Sequence, residues 1–133
     1  MSAPVLAAGI AGRCSEIVVK EKTAEQVGSG DTAVYATPAM IALVEKTAVS
    51  VLEGCLEDGK TTVGTMINAK HLAATPVGMK VECECVLTEL DGRRLVFEFK
   101  VHDECGLVAE GTHERFIVSK ESFSKRAEEK LKK

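Results

Sequence analysis

Residues 38–56, PAMIALVEKTAVSVLEGCL, decide the architecture of this chain. At about 100° per residue, Ile41, Val44, Ala48, Val51, Leu52 and Cys55 gather on one side, and Lys46, Glu53 and Glu57 fall on the other. The spacing predicts one long amphipathic helix lying on an apolar surface. Thr37 is a favoured N-cap, Pro38 suits the first helical position, and Gly59 helps to end the helix. Glu45 projects with Ile41, Ala48 and Leu52, inside the apolar stripe. An ionised carboxylate is costly there unless it is paired or its pKa moves. Glu45 is therefore either a rim residue satisfied by a neighbouring base or a group held for chemistry.

Outward from the helix the period changes. Upstream, EIVVK (16–20) reads as a first strand, KTAEQVGSGD (22–31) as a loop, and residues 34–36 as a short extended piece. Downstream, residues 61–75 alternate as a long strand with Val63, Thr65, Ile67, Ala69, His71 and Ala73 on one face. Pro76 and Gly78 turn the chain. In residues 79–90, Val81, Cys83, Cys85 and Leu87 point inward and Lys80, Glu82 and Glu84 outward. Asp91-Gly92 is a hairpin signal; Leu95, Phe97, Phe99 and Val101 follow on an inward face. A turn at 104–106 leads to a last strand, 107–119, and residues 121–133 read as a charged helix or tail. The expectation is a single α+β domain over residues 1–133, one helix across a meander of consecutive antiparallel strands. Exposed strand edges of this kind are commonly covered by a second copy, so a homodimer is expected.

Composition narrows the function. Four Phe, one Tyr and no Trp give no stacking platform for single-stranded nucleic acid. A net charge of −3 gives no general attraction to phosphate backbones or anionic membranes. No apolar run approaches the roughly 20 residues of a membrane span, and MSAPVLAAGIAGRC lacks the charged region and long apolar core of a signal peptide. A cytoplasmic protein is expected. The five cysteines lack C-x-x-C spacing and no ligand spacing links them to His71, His102 or His113, so neither a disulfide framework nor a metal site is expected.

His71 shares the strand face assigned to the helix side. A lone histidine there is ordinarily a satisfied core residue. Its company argues for more: Thr37 at the helix start, Glu45 two turns later and His71 from a neighbouring strand would supply a hydroxyl, a base or nucleophile, and a proton-transfer partner. By strand parity, His102 points to solvent and His113 is buried near the site in a structural role.

The blocks YATPAMIALVEKTA (35–48), VGT (63–65), KHLAATPVGM (70–79), LDGRRL (90–95) and EGTHERFIV (110–118), in this order and spacing, resemble the fluoroacetyl-CoA thioesterase-like group of the hot dog fold superfamily. The resemblance implies a long helix wrapped by an antiparallel sheet, a homodimer with sites near the subunit interface, and hydrolysis of an acyl-CoA thioester without a cofactor, coenzyme A being part of the substrate. It implies a catalytic set at Thr37, Glu45 and His71, a glycine close to the acyl group at Gly64, and a site arginine at Arg115. Arg115 could hold a CoA phosphate, orient Glu45 or pair with the dimer partner. A dimer of dimers remains open. One departure stands out: phenylalanines lid the pocket of the fluoroacetyl-specific enzyme before the helix, and this chain has Gly28, Ser29, Gly30 and Asp31 there. A different small acyl-CoA is expected. Two other readings stay in view. A hydratase or dehydratase of the same fold would consume the enoyl absorbance of crotonyl-CoA without releasing thiol. A non-catalytic acyl-CoA binding protein would bind esters without turnover.

Overall fold

A computed structural model describes residues 5–132; the first four residues of the N-terminal stretch weighed as a signal peptide, and Lys133 of the charged tail, lie outside them. Strand β1 (Ala11–Ile17) is followed by a 3-10 turn (Lys20–Lys22), a short helix α1 (Ala24–Val27) and the long helix α2 (Thr37–Val51). Strands β2 (Lys60–His71), β3 (Lys80–Asp91), β4 (Arg94–Asp103) and β5 (Gly106–Ser119) come next, then α3 (Lys120–Glu129) and a last 3-10 turn (Lys130–Lys132).

The strands form one five-stranded antiparallel sheet in the order β1-β3-β4-β5-β2. Only β3, β4 and β5 make the expected meander. β2 pairs with β5, at the far edge from β1, because the segment between β2 and β3 carries the chain across the sheet. Choice of partner is a tertiary matter that alternation along a strand does not encode.

Helix α2 buries Met40, Leu43, Val44, Thr47, Ala48 and Val51. They meet the inward row of β3 and β4: Val81, Cys83, Cys85, Leu87, Leu95, Phe97, Phe99 and Val101, all buried as their alternation predicts. Each large aliphatic or aromatic side chain enclosed here contributes about 1.5–3 kcal/mol. The Cys83 and Cys85 sulfurs lie 3.9 Å apart as unbridged thiols inside this core. The opposite face of the sheet is polar. Arg13, Glu84, Lys100, Glu110 and Lys70 form one cross-strand row of alternating sign over all five strands, as suits a solvated face.

Several boundaries differ from the sequence expectations. The helix stops at Val51 rather than Leu56, because Gly54, not Gly59, takes the first left-handed conformation after it (φ +76°). Ala36 holds the N-cap position and Thr37 is already helical; its hydroxyl caps nothing. The first strand lies at Ala11–Ile17, not 16–20. Its half-buried side is made of small or polar residues, Gly12, Cys14 and Glu16, with Gly12 close against Val51, so no apolar signal marks it. The loop at 22–31 contains α1, held with residues 34–36 by isolated bridges Thr23↔Tyr35 and Val34↔Pro76. The charged tail is helical and exposed throughout.

The correction that matters most for function is in β2. Gly64 faces Arg115 and Met66 faces Glu114, so Thr65 is a bulge with no partner of its own. An extra residue reverses the parity of a strand. Ile67, Ala69 and His71 do share the helix-facing side, opposite His113, Gly111 and Ala109, but upstream of the bulge that side belongs to Gly64 and Thr62 rather than Val63.

Candidate active site

Strand β2 runs beside α2 in the opposite direction. On the helix flank, Thr37, Ile41 and Glu45 recur every four residues; on the strand, His71, Ala69, Ile67 and Gly64 face them. One polar group pair stands at each end, with half-exposed Ile41 and Ile67 between.

At the first end, Thr37 Oγ1 lies 2.7 Å from His71 Nδ1. His71 Nε2 is buried and makes no hydrogen bond. Burial is the larger influence on this imidazole and pulls its pKa below the ordinary value, with the nearby Ala73 backbone acting the other way. The pair opens into a depression of roughly 380 Å³ whose walls include Gly30, Asp31, Thr32 and Tyr35. Tyr35 fixes the approach to the helix: its ring is buried, its hydroxyl donates to Glu16 Oε2 at 2.5 Å, and its backbone N–H donates to the Thr75 carbonyl at 2.9 Å. Lys22 also pairs with Glu16. Burial, and then the Glu16 carboxylate, push the phenol pKa up, so the hydroxyl keeps its proton.

At the second end, Glu45 lies over Gly64 in a depression of roughly 220 Å³ lined also by Thr65, Met66, Ile67 and His113. Glu45 is not in the centre of the buried stripe. That stripe runs through Met40, Val44, Thr47 and Val51, and Glu45 sits on its flank with the side chain 46% exposed. Beneath it lies Arg115, whose side chain is only 7% exposed, with Nη1 3.5 Å from Glu45 Oε2. A buried guanidinium needs every edge satisfied. Nε donates to Thr62 Oγ1 at 2.9 Å, Nη2 to the Thr62 carbonyl at 3.1 Å, and Nη1 lies 3.2 Å from His113 Nε2. Burial pulls the Arg115 pKa down while Glu45 opposes it, and a guanidinium remains protonated at any ordinary pH.

The structure thus joins Thr37 to His71, and Glu45 to Gly64 and Arg115. Among the described residues of one chain, no hydrogen bond or ion pair links the two groups. Eight residues of helix separate Thr37 from Glu45, about 12 Å along the axis. Thr62 was invisible as a site residue because the unrecognised bulge assigned it to the outer face; the signal that would have found it is Gly64, a glycine in mid-strand, which often marks a bulge or a close approach. His113 is buried and His102 exposed, as strand parity predicts. Among the described residues, no group of three or more His, Cys, Asp or Glu side chains is placed to hold a metal ion.

Comparison with known proteins identifies relatives of this fold and sequence. The family model for the fluoroacetyl-CoA-specific thioesterase matches residues 18–121. The fluoroacetyl-CoA thioesterase of Streptantibioticus cattleyicolor is 36% identical over 97 residues, which span 73% of this chain and 70% of that protein. The solved structure of the fluoroacetyl-CoA thioesterase FlK superposes with a TM-score of 0.90 at 29% identity, covering 96% of this chain and 98% of that one. A thioesterase superfamily member from Thermus thermophilus superposes at 0.85 with 26% identity, over 98% and 97% of the two chains. A hot-dog-like protein from Thermanaerovibrio acidaminovorans gives 0.84 at 27% identity, over 92% and 91%. With a helix on a curved antiparallel sheet and a family match across most of its length, the chain belongs to the fluoroacetyl-CoA-specific thioesterase family and is an acyl-CoA thioesterase of the hot dog fold.

Proposed function

We propose that the chain hydrolyses a small acyl-CoA thioester to the carboxylic acid and the CoA thiol, using Glu45, Thr37 and His71, with Gly64 and Arg115 shaping the site. The observation that carries this reading is Glu45 itself, an open carboxylate beside a glycine, braced from below by a buried guanidinium. Glu45 delivers the attacking oxygen to the thioester carbonyl, as its own carboxylate or from a water it deprotonates. The Thr37–His71 pair binds the carbonyl oxygen and relays a proton to the departing sulfur, and the helix start adds its positive end. Gly64 leaves room for the acyl group against Glu45. No cofactor is needed, since coenzyme A arrives as part of the substrate.

Two ends about 12 Å apart cannot serve one acyl group. We therefore read the active form as a homodimer. A two-fold axis beside the open β2 edge sets the two helices antiparallel, so that Thr37 and His71 of one protomer face Glu45 and Arg115 of its partner. Each dimer then holds two complete sites, and dimers are free to pair further. The acyl group we assign is small and not fluoroacetyl: the wall before the helix is Gly28, Ser29, Gly30 and Asp31, with no aromatic lid. A reducing cytoplasm suits five cysteines that are all free thiols. Among the described residues, no helix is long and apolar enough to cross a membrane, and nothing in the fold calls for nucleic acid.

The deciding experiment is a free-thiol assay across short, branched and aromatic acyl-CoAs, with the parent protein and Glu45→Gln in parallel. Thiol release from a short acyl-CoA that Glu45→Gln abolishes is the expected result. Equal release by a folded Glu45→Gln protein would remove the proposed chemistry.

A further inference from the structure

We propose that His113 is a positioning residue for Glu45, acting through Arg115: its unprotonated Nε2 holds the one guanidinium nitrogen that faces the carboxylate. The proposal rests on the reading that Glu45 attacks the thioester.

The tautomer follows from the partners. His113 Nδ1 lies 2.8 Å from the Met66 carbonyl oxygen, which can only accept, so Nδ1 carries the hydrogen. In a neutral ring Nε2 is then a bare lone pair, and Arg115 Nη1 donates to it across 3.2 Å. Burial is the largest influence on this imidazole and lowers its pKa; Arg115 acts the same way, against the Met66 carbonyl and Glu45. The ring stays neutral and keeps its lone pair. Its plane is fixed by stacking on Phe97, with centroids 6.3 Å apart and planes 30° from parallel.

The consequence lies at Nη1. The Nε and Nη2 nitrogens of Arg115 are engaged by Thr62, leaving Nη1 as the edge turned toward Glu45. One of its hydrogens is committed to His113. The other meets a single carboxylate oxygen at 3.5 Å. A guanidinium released from His113 is free to close on Glu45 as a bidentate pair, which would draw both oxygens inward and blunt the attacking group. His113 thereby keeps the Glu45–Arg115 pair loose and one oxygen available.

Two conservative substitutions separate this role from plain packing. His113→Gln places an amide oxygen near the Nε2 position and preserves an acceptor for Arg115. His113→Asn preserves a donor for the Met66 carbonyl and offers Arg115 nothing. With a cleaved short acyl-CoA, kcat is expected within about threefold of the parent in His113→Gln and reduced at least about tenfold in His113→Asn, with KM within about twofold in both. A fully active His113→Asn, or equal losses in both variants that track their melting temperatures, would overturn the proposal. Nitrogen NMR of the unmodified protein gives a second measurement: a protonated Nδ1 and bare Nε2 are expected, and the reverse tautomer or an imidazolium at neutral pH overturns it. Full turnover by Glu45→Gln would overturn the reading of Glu45 and this proposal together, whereas a dead Glu45→Gln beside an active His113→Asn overturns this proposal alone.

Discussion

A Cβ built on Gly64 would stand 2.9 Å from Glu45 Oε2, closer than real Cβ atoms come, and 3.3 Å from both Arg115 Nη1 and His113 Cε1. Glu45 reaches over the sheet only because residue 64 has no side chain. The atoms in conflict end flexible side chains, so Gly64→Ala is expected to fold while displacing the carboxylate. Turnover should fall about 10- to 100-fold, the range that ångström-scale misplacement of a reacting group produces. Steady-state kinetics beside a melting curve check this, and an unchanged kcat would mean the Glu45 position is not critical.

Mixing two inactive variants tests the arrangement of the site across protomers. If Glu45→Gln and His71→Ala each abolish thiol release, random exchange of subunits makes about half the dimers mixed, each with one intact composite site, and returns about a quarter of the parent activity. No recovery after verified exchange would place the whole site in one chain.

Thr37 is the first helical residue and caps nothing, while its hydroxyl meets His71. Thr37→Val should therefore change stability by no more than about 0.5 kcal/mol, below the loss of about 1 kcal/mol typical of a true N-cap, yet lower kcat at least about tenfold. A large drop in melting temperature with normal turnover would contradict this assignment.

The folded chain holds His71 and His113 below their ordinary value of 6.5, in both cases chiefly through burial. The unfolded chain then takes up protons first as the pH falls. Their contribution to stability is complete above about pH 6.5 and drains away below it, toward the folded-state values. Melting temperature should be level from about pH 7 to 8 and decline below about pH 6.5, with a shallower decline in His71→Gln. A parent curve that stays flat down to about pH 5 would show that neither imidazole is buried in its neutral form.

The parts of the fold that follow a strict period were legible. Alternation in residues 81–87 and 95–101 assigned inward faces that the structure keeps, and the helical spacing found α2. What stayed hidden depended on single residues or on distant partners. Gly54 rather than Gly59 stops the helix. Glu45 lies on the flank of the stripe because the helix sits chiefly over β1 and β3, and only its edge reaches β2. The sequence named the candidate residues one by one and led to the expectation that they converge, whereas eight residues of helix hold Thr37–His71 apart from Glu45–Arg115 within the chain. Thr62 escaped because the stretch TTVGTMINA (61–69) has no apolar alternation strong enough to betray a bulge.

Thr65 stands outside the ladder of paired residues, its hydroxyl donating to the Glu114 carbonyl at 3.2 Å. From Gly64 to His71 is seven residues, an odd count that an unbroken zigzag would divide between the two sides of the sheet. The bulge absorbs the odd residue and returns both to the helix side, so that neither is exiled to the charged exterior. Removing Thr65 would leave the two six apart and still on one side, whereas an insertion or deletion beyond it that kept the bulge would part them: what the strand must keep is a count and not a chemical identity.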